Sequence, residues 1–273
     1  MKCGPIKRLH AFTLIELLVV VGVLVLLMGL IIPSLIMARN LGRSAQCTSN
    51  VRELAKDYQG YLNDHLGRPM GWDNYQTFWV DQLRPYGNID RTRFCPVATS
   101  RTNAHQFQDG TLSTPSGYGS TTEAWGSGVF DNNVTLPPNL GVGSYGMNWY
   151  CYNQNQTPFS PTWTFPITMN PATIPLFADC MWVDGGPDCG QTLANQGEST
   201  MTPAYGPYGI PGVGGSPCGV TGSVVRFCLL RHGRAINMVF MDGHTQLVPL
   251  EKLLMFNWHP GYANTTTLLA VPN

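Results

Sequence analysis

The chain has 273 residues, 43% of them hydrophobic, and its 16 Lys and Arg balance 16 Asp and Glu. That length suits one ordinary domain with an anchor, or two small domains. No basic patch or stripe stands out, which excludes the electrostatic footprint of a nucleic-acid binder.

The first eleven residues hold Lys2, Lys7 and Arg8 and no acid. An apolar run from Phe12 to Met37 follows. A hydrocarbon core needs about 20 helical residues, whereas a secretory signal has an apolar core of only about 7–15. Ile36-Met37-Ala38 fits a small-x-small cleavage site poorly. The run therefore reads as a retained membrane helix. Basic residues flank it on both sides, so the positive-inside rule alone leaves orientation open. Glu16 is the anomaly, because a carboxylate at the centre of a membrane helix costs about 2.5–3.5 kcal/mol. A charge kept there needs a partner, and cleavage between Ala11 and Phe12 would create one in the new α-amino group of a neighbouring, staggered chain.

Cys47, Val51, Leu54, Tyr58 and Tyr61 recur at helical spacing and mark one apolar stripe, with Arg39, Arg43, Arg52, Glu53 and Lys56 opposite. The pattern predicts one helix from about Thr13 to Asp64, bent or broken near Pro33, where a backbone donor is lost, and ended by Gly67 and Pro69. "FWVDQLRPYGNIDRTRFCP" predicts a short amphipathic segment and a strand toward Cys95. "SYGMNWYCYN" (144–153) and "IPLFADCMWVD" (174–184) predict short strands, being rich in aromatic and apolar residues. Residues 185–222 are dense in Gly and Pro and read as a long loop. In "RAINMVFMDGHTQLVPL" the alternation of Ile236, Met238 and Phe240 and the Asp242-Gly243 pair predict a hairpin with one buried face. A two-residue type I′ turn would pair Phe240 with Thr245 and Met238 with Leu247. A helix followed by a late hairpin gives an α+β class.

Two stretches carry a resemblance. "AFTLIELLVV", after a basic leader and before a long apolar helix, resembles the N-terminus of type IV prepilins, a family that includes type II secretion pseudopilins. Ala11 stands where that family has Gly. Pro33 falls where the family has a helix-kinking proline. His232, nine residues and then Asp242-Gly243 is similar to the H-x9-DG motif of many pilin-like bacterial proteins. The resemblance implies a pilin-like fold, a long N-terminal helix packed on a C-terminal antiparallel sheet with long loops. It divides the chain into a leader (1–11), a transmembrane and assembly helix (12–37), its amphipathic continuation (38–66) and an extracytoplasmic head (67–273). It implies processing at Ala11 and Phe12 by a prepilin peptidase, and assembly through Phe12, Glu16 and Pro33. The partners would be like or related pilin subunits, an inner-membrane assembly platform and lipid. The chain would be single-pass in the inner membrane with its N-terminus cytoplasmic, and its head periplasmic or on an extracellular filament. The alternative is a membrane-tethered extracytoplasmic module, glycan-binding for instance, that uses the signal only for export.

Eight cysteines without a C-x-x-C pair argue against a zinc ribbon and, in an exported chain, favour disulfides over buried thiols. His232, Asp242 and His244 have the chemistry of a transition-metal set, but service to the turn and strand surface is the favoured reading. Asp179, Asp184 and Asp188 supply calcium-type oxygens, yet their spacing fails the EF-hand pattern, and solvated loop acids are favoured. The calcium-binding loop of major pseudopilins is not reproduced, so the resemblance assigns no ligand. No catalytic motif is present, so the expectation is a non-enzyme without cofactor.

Overall fold

The computed structural model describes residues 13–71, 78–99, 119, 121–122, 124–126, 142–153, 163, 167, 169–187, 226–227 and 229–260. The chain divides into two compact units, Met1–Gly42 and Arg43–Asn273. The first contains the apolar part of helix α1, which runs Leu14–Asp64 without interruption through Pro33. No residue from Leu14 to Gly42 is buried, and Leu14, Leu30 and Met37 are more than 70% exposed. This helix is long and apolar enough to cross a membrane. The expected break at Pro33 is absent, and the helix continues through it.

In the second unit the helix buries Cys47, Val51, Leu54, Ala55, Asp57, Tyr58 and Leu62: four of the five predicted stripe residues, with Tyr61 only half-buried, together with an unexpected acid. Its end is a Schellman closure, in which the Gly67 N–H donates to the Leu62 carbonyl at 2.7 Å. Leu66, not Gly67, occupies the left-handed residue before that bond, with φ of 55°, although Gly67 follows at φ 76°. Two one-turn helices follow, α2 (Trp79–Gln82) and α3 (Ile89–Thr92). The strand expected toward Cys95 is only an isolated bridge between Cys95 and Ala98.

Strands β1 (Trp125–Gly126) and β2 (Val142–Gly143) form a two-stranded ribbon. The main sheet contains β3 (Tyr145–Asn148), β4 (Pro175–Asp179), β5 (Asp184–Gly185), β6 (Ala235–Phe240) and β7 (Thr245–Pro249), in the order β5-β3-β4-β6-β7. The class is α+β, as expected, but the sheet is mixed: β5 pairs with β3 in parallel. The expected strands at 144–153 and 174–184 are therefore shorter than their apolar runs, the first turning into a 3-10 turn at Trp149–Cys151.

Alternation along the strands creates three layers. Tyr145, Phe177, Asp179 and Asn237 face the helix: Tyr58 meets Phe177 edge-on at 6.4 Å, and Thr48 bonds Asn237 at 2.7 Å. The opposite face meets the C-terminal segment, where Phe240 packs on Phe256 at 5.0 Å and Asn148 donates to the Trp258 carbonyl at 2.9 Å. Strand β6 is consequently buried on both faces rather than one.

The hairpin is present with a different turn. Val239 pairs with Thr245 and Met238 with Gln246. The Phe240 N–H donates to the His244 carbonyl, and the Gly243 N–H returns to the Phe240 carbonyl. The loop thus has three residues, Met241, Asp242 and Gly243, and only Gly243 takes positive φ, at 85°. This is a type I turn closed by a glycine bulge. Asp242 keeps a negative φ, and its carboxylate accepts from the His244 N–H at 3.0 Å, a local bond two residues on that supports this turn.

Candidate functional site

The processing residues Ala11 and Phe12 lie outside the described residues. Glu16 lies in the first turn of α1, where its Oε2 accepts from the Thr13 N–H at 2.9 Å and from the Thr13 hydroxyl at 2.8 Å. The Glu16 N–H returns to the Thr13 hydroxyl oxygen at 3.3 Å. Thr-x-x-Glu is a capping box, a role not read from the sequence. Beyond Pro33, the Ser34 hydroxyl donates to the Ile31 carbonyl at 2.8 Å.

Among the described residues, a buried polar cluster lies in the second unit, between the helix and one end of the sheet. Each member comes from a different segment. Cys47 is on the buried stripe of α1, Cys95 is in the bridged loop after α3, Asp179 ends β4, and His232 precedes β6. Their ligand-type atoms all lie within 4.8 Å of one another. The Cys47 thiol is 3.5 Å from both oxygens of Asp179. His232 Nε2 is 3.5 Å from Cys95 Sγ and 3.4 Å from Asp179 Oδ2.

A surrounding layer holds these groups. The Asn237 N–H donates to Asp179 Oδ2 at 2.9 Å. The Tyr145 hydroxyl donates to Cys47 Sγ at 3.1 Å. The Arg231 guanidinium is 3.5 Å from Asp179 Oδ1 and also donates to the Ser144 carbonyl. The side chains of Arg231 and Asp179 are wholly buried. Burial opposes ionisation of Asp179, but its bond to His232 and the nearby positive charges hold it below the usual carboxylate range. Burial likewise opposes the imidazolium, yet the bonds to Asp179 and Cys95 lift His232 to about 9. Burial pushes the Cys47 thiol well up, while the hydrogen bond from Cys47 brings Cys95 down. The cluster can therefore hold a thiolate, a carboxylate and a cation together away from water.

His232, Asp242 and His244 do not come together as a ligand set, but the side chains of His232, Asp179 and Asp184 are buried, not on the strand surface or in solvated loops as favoured from the sequence. His232 turns to Asp179 and Cys95, while Asp242 and His244 pair with each other at the exposed turn, 2.6 Å apart. Gly243 serves that turn. Asp184 pairs with Arg226 at 3.0 Å, separately from Asp179. Asp188 lies outside the described residues. The expected disulfides are not formed by Cys47, Cys95, Cys151 or Cys180, which are buried free thiols; Cys3, Cys189, Cys218 and Cys228 lie outside the described residues. Sequence reading missed Cys47, Cys95, Tyr145 and Arg231. The signals that touched the cluster were the position of His232 in its motif and Asp179 as a candidate metal ligand.

No family model, curated protein or solved structure matches the chain.

Proposed function

We propose that the chain is a membrane-anchored structural subunit of a pilus-like or pseudopilus-like filament. The observation that carries the reading is the division of labour along α1. Its first part is an almost wholly apolar surface with nothing buried, and its second part is the spine of a folded head. Such a surface demands either lipid or other apolar helices. A membrane helix that later exchanges lipid for neighbouring helices satisfies both demands, and staggered heterologous contacts of that kind extend without closing.

The sequence supplies the rest of the proposal. A prepilin peptidase cuts between Ala11 and Phe12. Glu16 then meets the Phe12 amine of an adjacent subunit, so that each offsets the cost of desolvating the other. An inner-membrane platform drives assembly, and the head stands in the periplasm or on the filament surface.

The test is mass spectrometry of the native N-terminus together with a Glu16→Gln strain. The expected results are a chain beginning at Phe12 and a variant that is exported and cut but does not assemble. Uncut chains in the membrane, or undiminished filaments from Glu16→Gln, would overturn the proposal.

A further inference from the structure

We infer that Cys47, Cys95, Asp179 and His232 form a tetrahedral site for a thiophilic divalent cation of the zinc type, and that this ion ties helix α1 to the sheet. The inference does not depend on filament assembly.

The first argument is geometric. Zinc binds thiolate sulfur at about 2.3 Å and imidazole nitrogen or carboxylate oxygen at about 2.0–2.2 Å. At the tetrahedral angle those bonds fix the distances between ligands, about 3.5 Å for sulfur to nitrogen or oxygen and about 3.4 Å for nitrogen to oxygen. The structure has 3.5 Å from Cys95 Sγ to His232 Nε2, 3.5 Å from Cys47 Sγ to Asp179, and 3.4 Å from His232 Nε2 to Asp179 Oδ2. A bare imidazolium–carboxylate pair closes to about 2.7–2.9 Å. At 3.4 Å the His232–Asp179 contact is longer than such a pair at its closest and matches the edge of a metal polyhedron.

The second argument is charge. Two thiolates and one carboxylate carry three negative charges. A divalent cation and the Arg231 guanidinium carry three positive ones, and His232 ligates as the neutral imidazole. The sum is zero, which a site closed off from water requires. The guanidinium beside Asp179 Oδ1, at 3.5 Å, is thus the counter-charge for a ligand set with one anion more than the metal neutralises.

The third argument is the supporting shell. Ligating groups are normally oriented by outer hydrogen bonds. Here the Asn237 N–H fixes Asp179 and the Tyr145 hydroxyl fixes Cys47, at 2.9 and 3.1 Å. With four protein ligands no position is left for water, so the site is structural and not catalytic. Binding releases the two thiol protons, and the imidazole proton where present, to solvent.

The test uses the full-length chain, solubilised in detergent and purified without chelator. Elemental analysis is expected to give one zinc per chain. Replacing zinc by cobalt(II) is expected to give the intense visible bands of a tetrahedral ion and thiolate-to-metal charge transfer. Cys95→Ser is expected to lower metal affinity at least tenfold, whereas Cys180→Ala, at a buried thiol outside the cluster, keeps one metal per chain. Asp179→Cys retains four ligands and is expected to shift the cobalt bands, a change that mere loss of folding cannot mimic. A Cys47–Cys95 disulfide in the freshly purified chain would overturn the inference. So would reduced, folded protein that takes up neither zinc nor cobalt, or only octahedral cobalt.

Discussion

Asn148 offers a direct test of how the sheet holds its C-terminal cover. It is buried at the end of β3. Its side-chain amide donates to the carbonyls of Pro175 and Trp258 at 3.0 and 2.9 Å, while its Oδ1 accepts from the Tyr150 N–H at 3.2 Å. Asn148→Asp keeps the shape and the acceptor but turns the double donor into oxygen. The Trp258 carbonyl keeps the Trp163 indole N–H at 3.0 Å and the Pro175 carbonyl keeps only the weaker Cys151 thiol at 3.8 Å, so the heavier loss falls on Pro175. Leaving a buried group unsatisfied costs about 1–3 kcal/mol, and more when the new neighbour is charged, so the expected destabilisation is about 3–4 kcal/mol near neutral pH. For a chain of this size that is about 6–16 °C in melting temperature. The new acid faces carbonyl oxygens in a dry site, so its folded pKa rises above the unfolded value. The proton it keeps at low pH is lost as pH rises through that folded pKa, and stability goes with it. The assay is thermal unfolding of the detergent-solubilised protein at pH 5 and pH 8, with Asn148→Ala as the uncharged comparison. A variant within 2 °C of wild type (about half a kcal/mol) at both pH values would refute the bridging role.

Other predictions follow from single residues. Asp57 is buried, with Oδ2 lacking a hydrogen bond, and burial together with the Glu53 charge raises it to about 6. Its folded pKa exceeds the unfolded one, so the native state holds an extra proton between about pH 4 and 6, and that stability disappears as pH rises through about 6. Asp57→Asn is therefore expected to stabilise by about 1–2 kcal/mol at pH 7.5 and to lose the advantage near pH 4 in paired melts. Leu66 is 89% exposed at positive φ, so Leu66→Gly should gain about 1 kcal/mol in denaturant unfolding by removing left-handed strain. A Cβ on Gly146 would come within 2.7 Å of the Cys180 side chain and the Trp182 carbonyl, so Gly146→Ala should cost about 1–3 kcal/mol by the same measurement.

The helix was legible because periodicity needs only local sequence: residues 47, 51, 54, 58 and 61 announce one face wherever the partner sheet comes from. Asp57 was not, since it lies at the margin of that stripe and is covered by Gly87, whose lack of a side chain leaves room for the carboxylate. The hairpin was legible from alternation, but its register turned on whether Asp242 or only Gly243 takes positive φ. The observed turn carries an Asp242–His244 bond that the dipeptide alone does not reveal. The buried cluster was illegible for a topological reason. Cys47, Cys95, Asp179 and His232 are far apart in sequence, and their meeting depends on the strand order that brings β4 and β6 together beneath α1.

Glu16 uses its two oxygens unequally. Oε2 takes both bonds from Thr13, and Oε1 takes none among the described residues. One carboxylate can thus stitch its own first turn and still present a lone pair to a visitor. A glutamine can keep the stitch but turns an amide toward the visitor, whereas alanine abandons both tasks at once. Only the glutamine exchange tells fraying within a chain apart from lost attraction between chains.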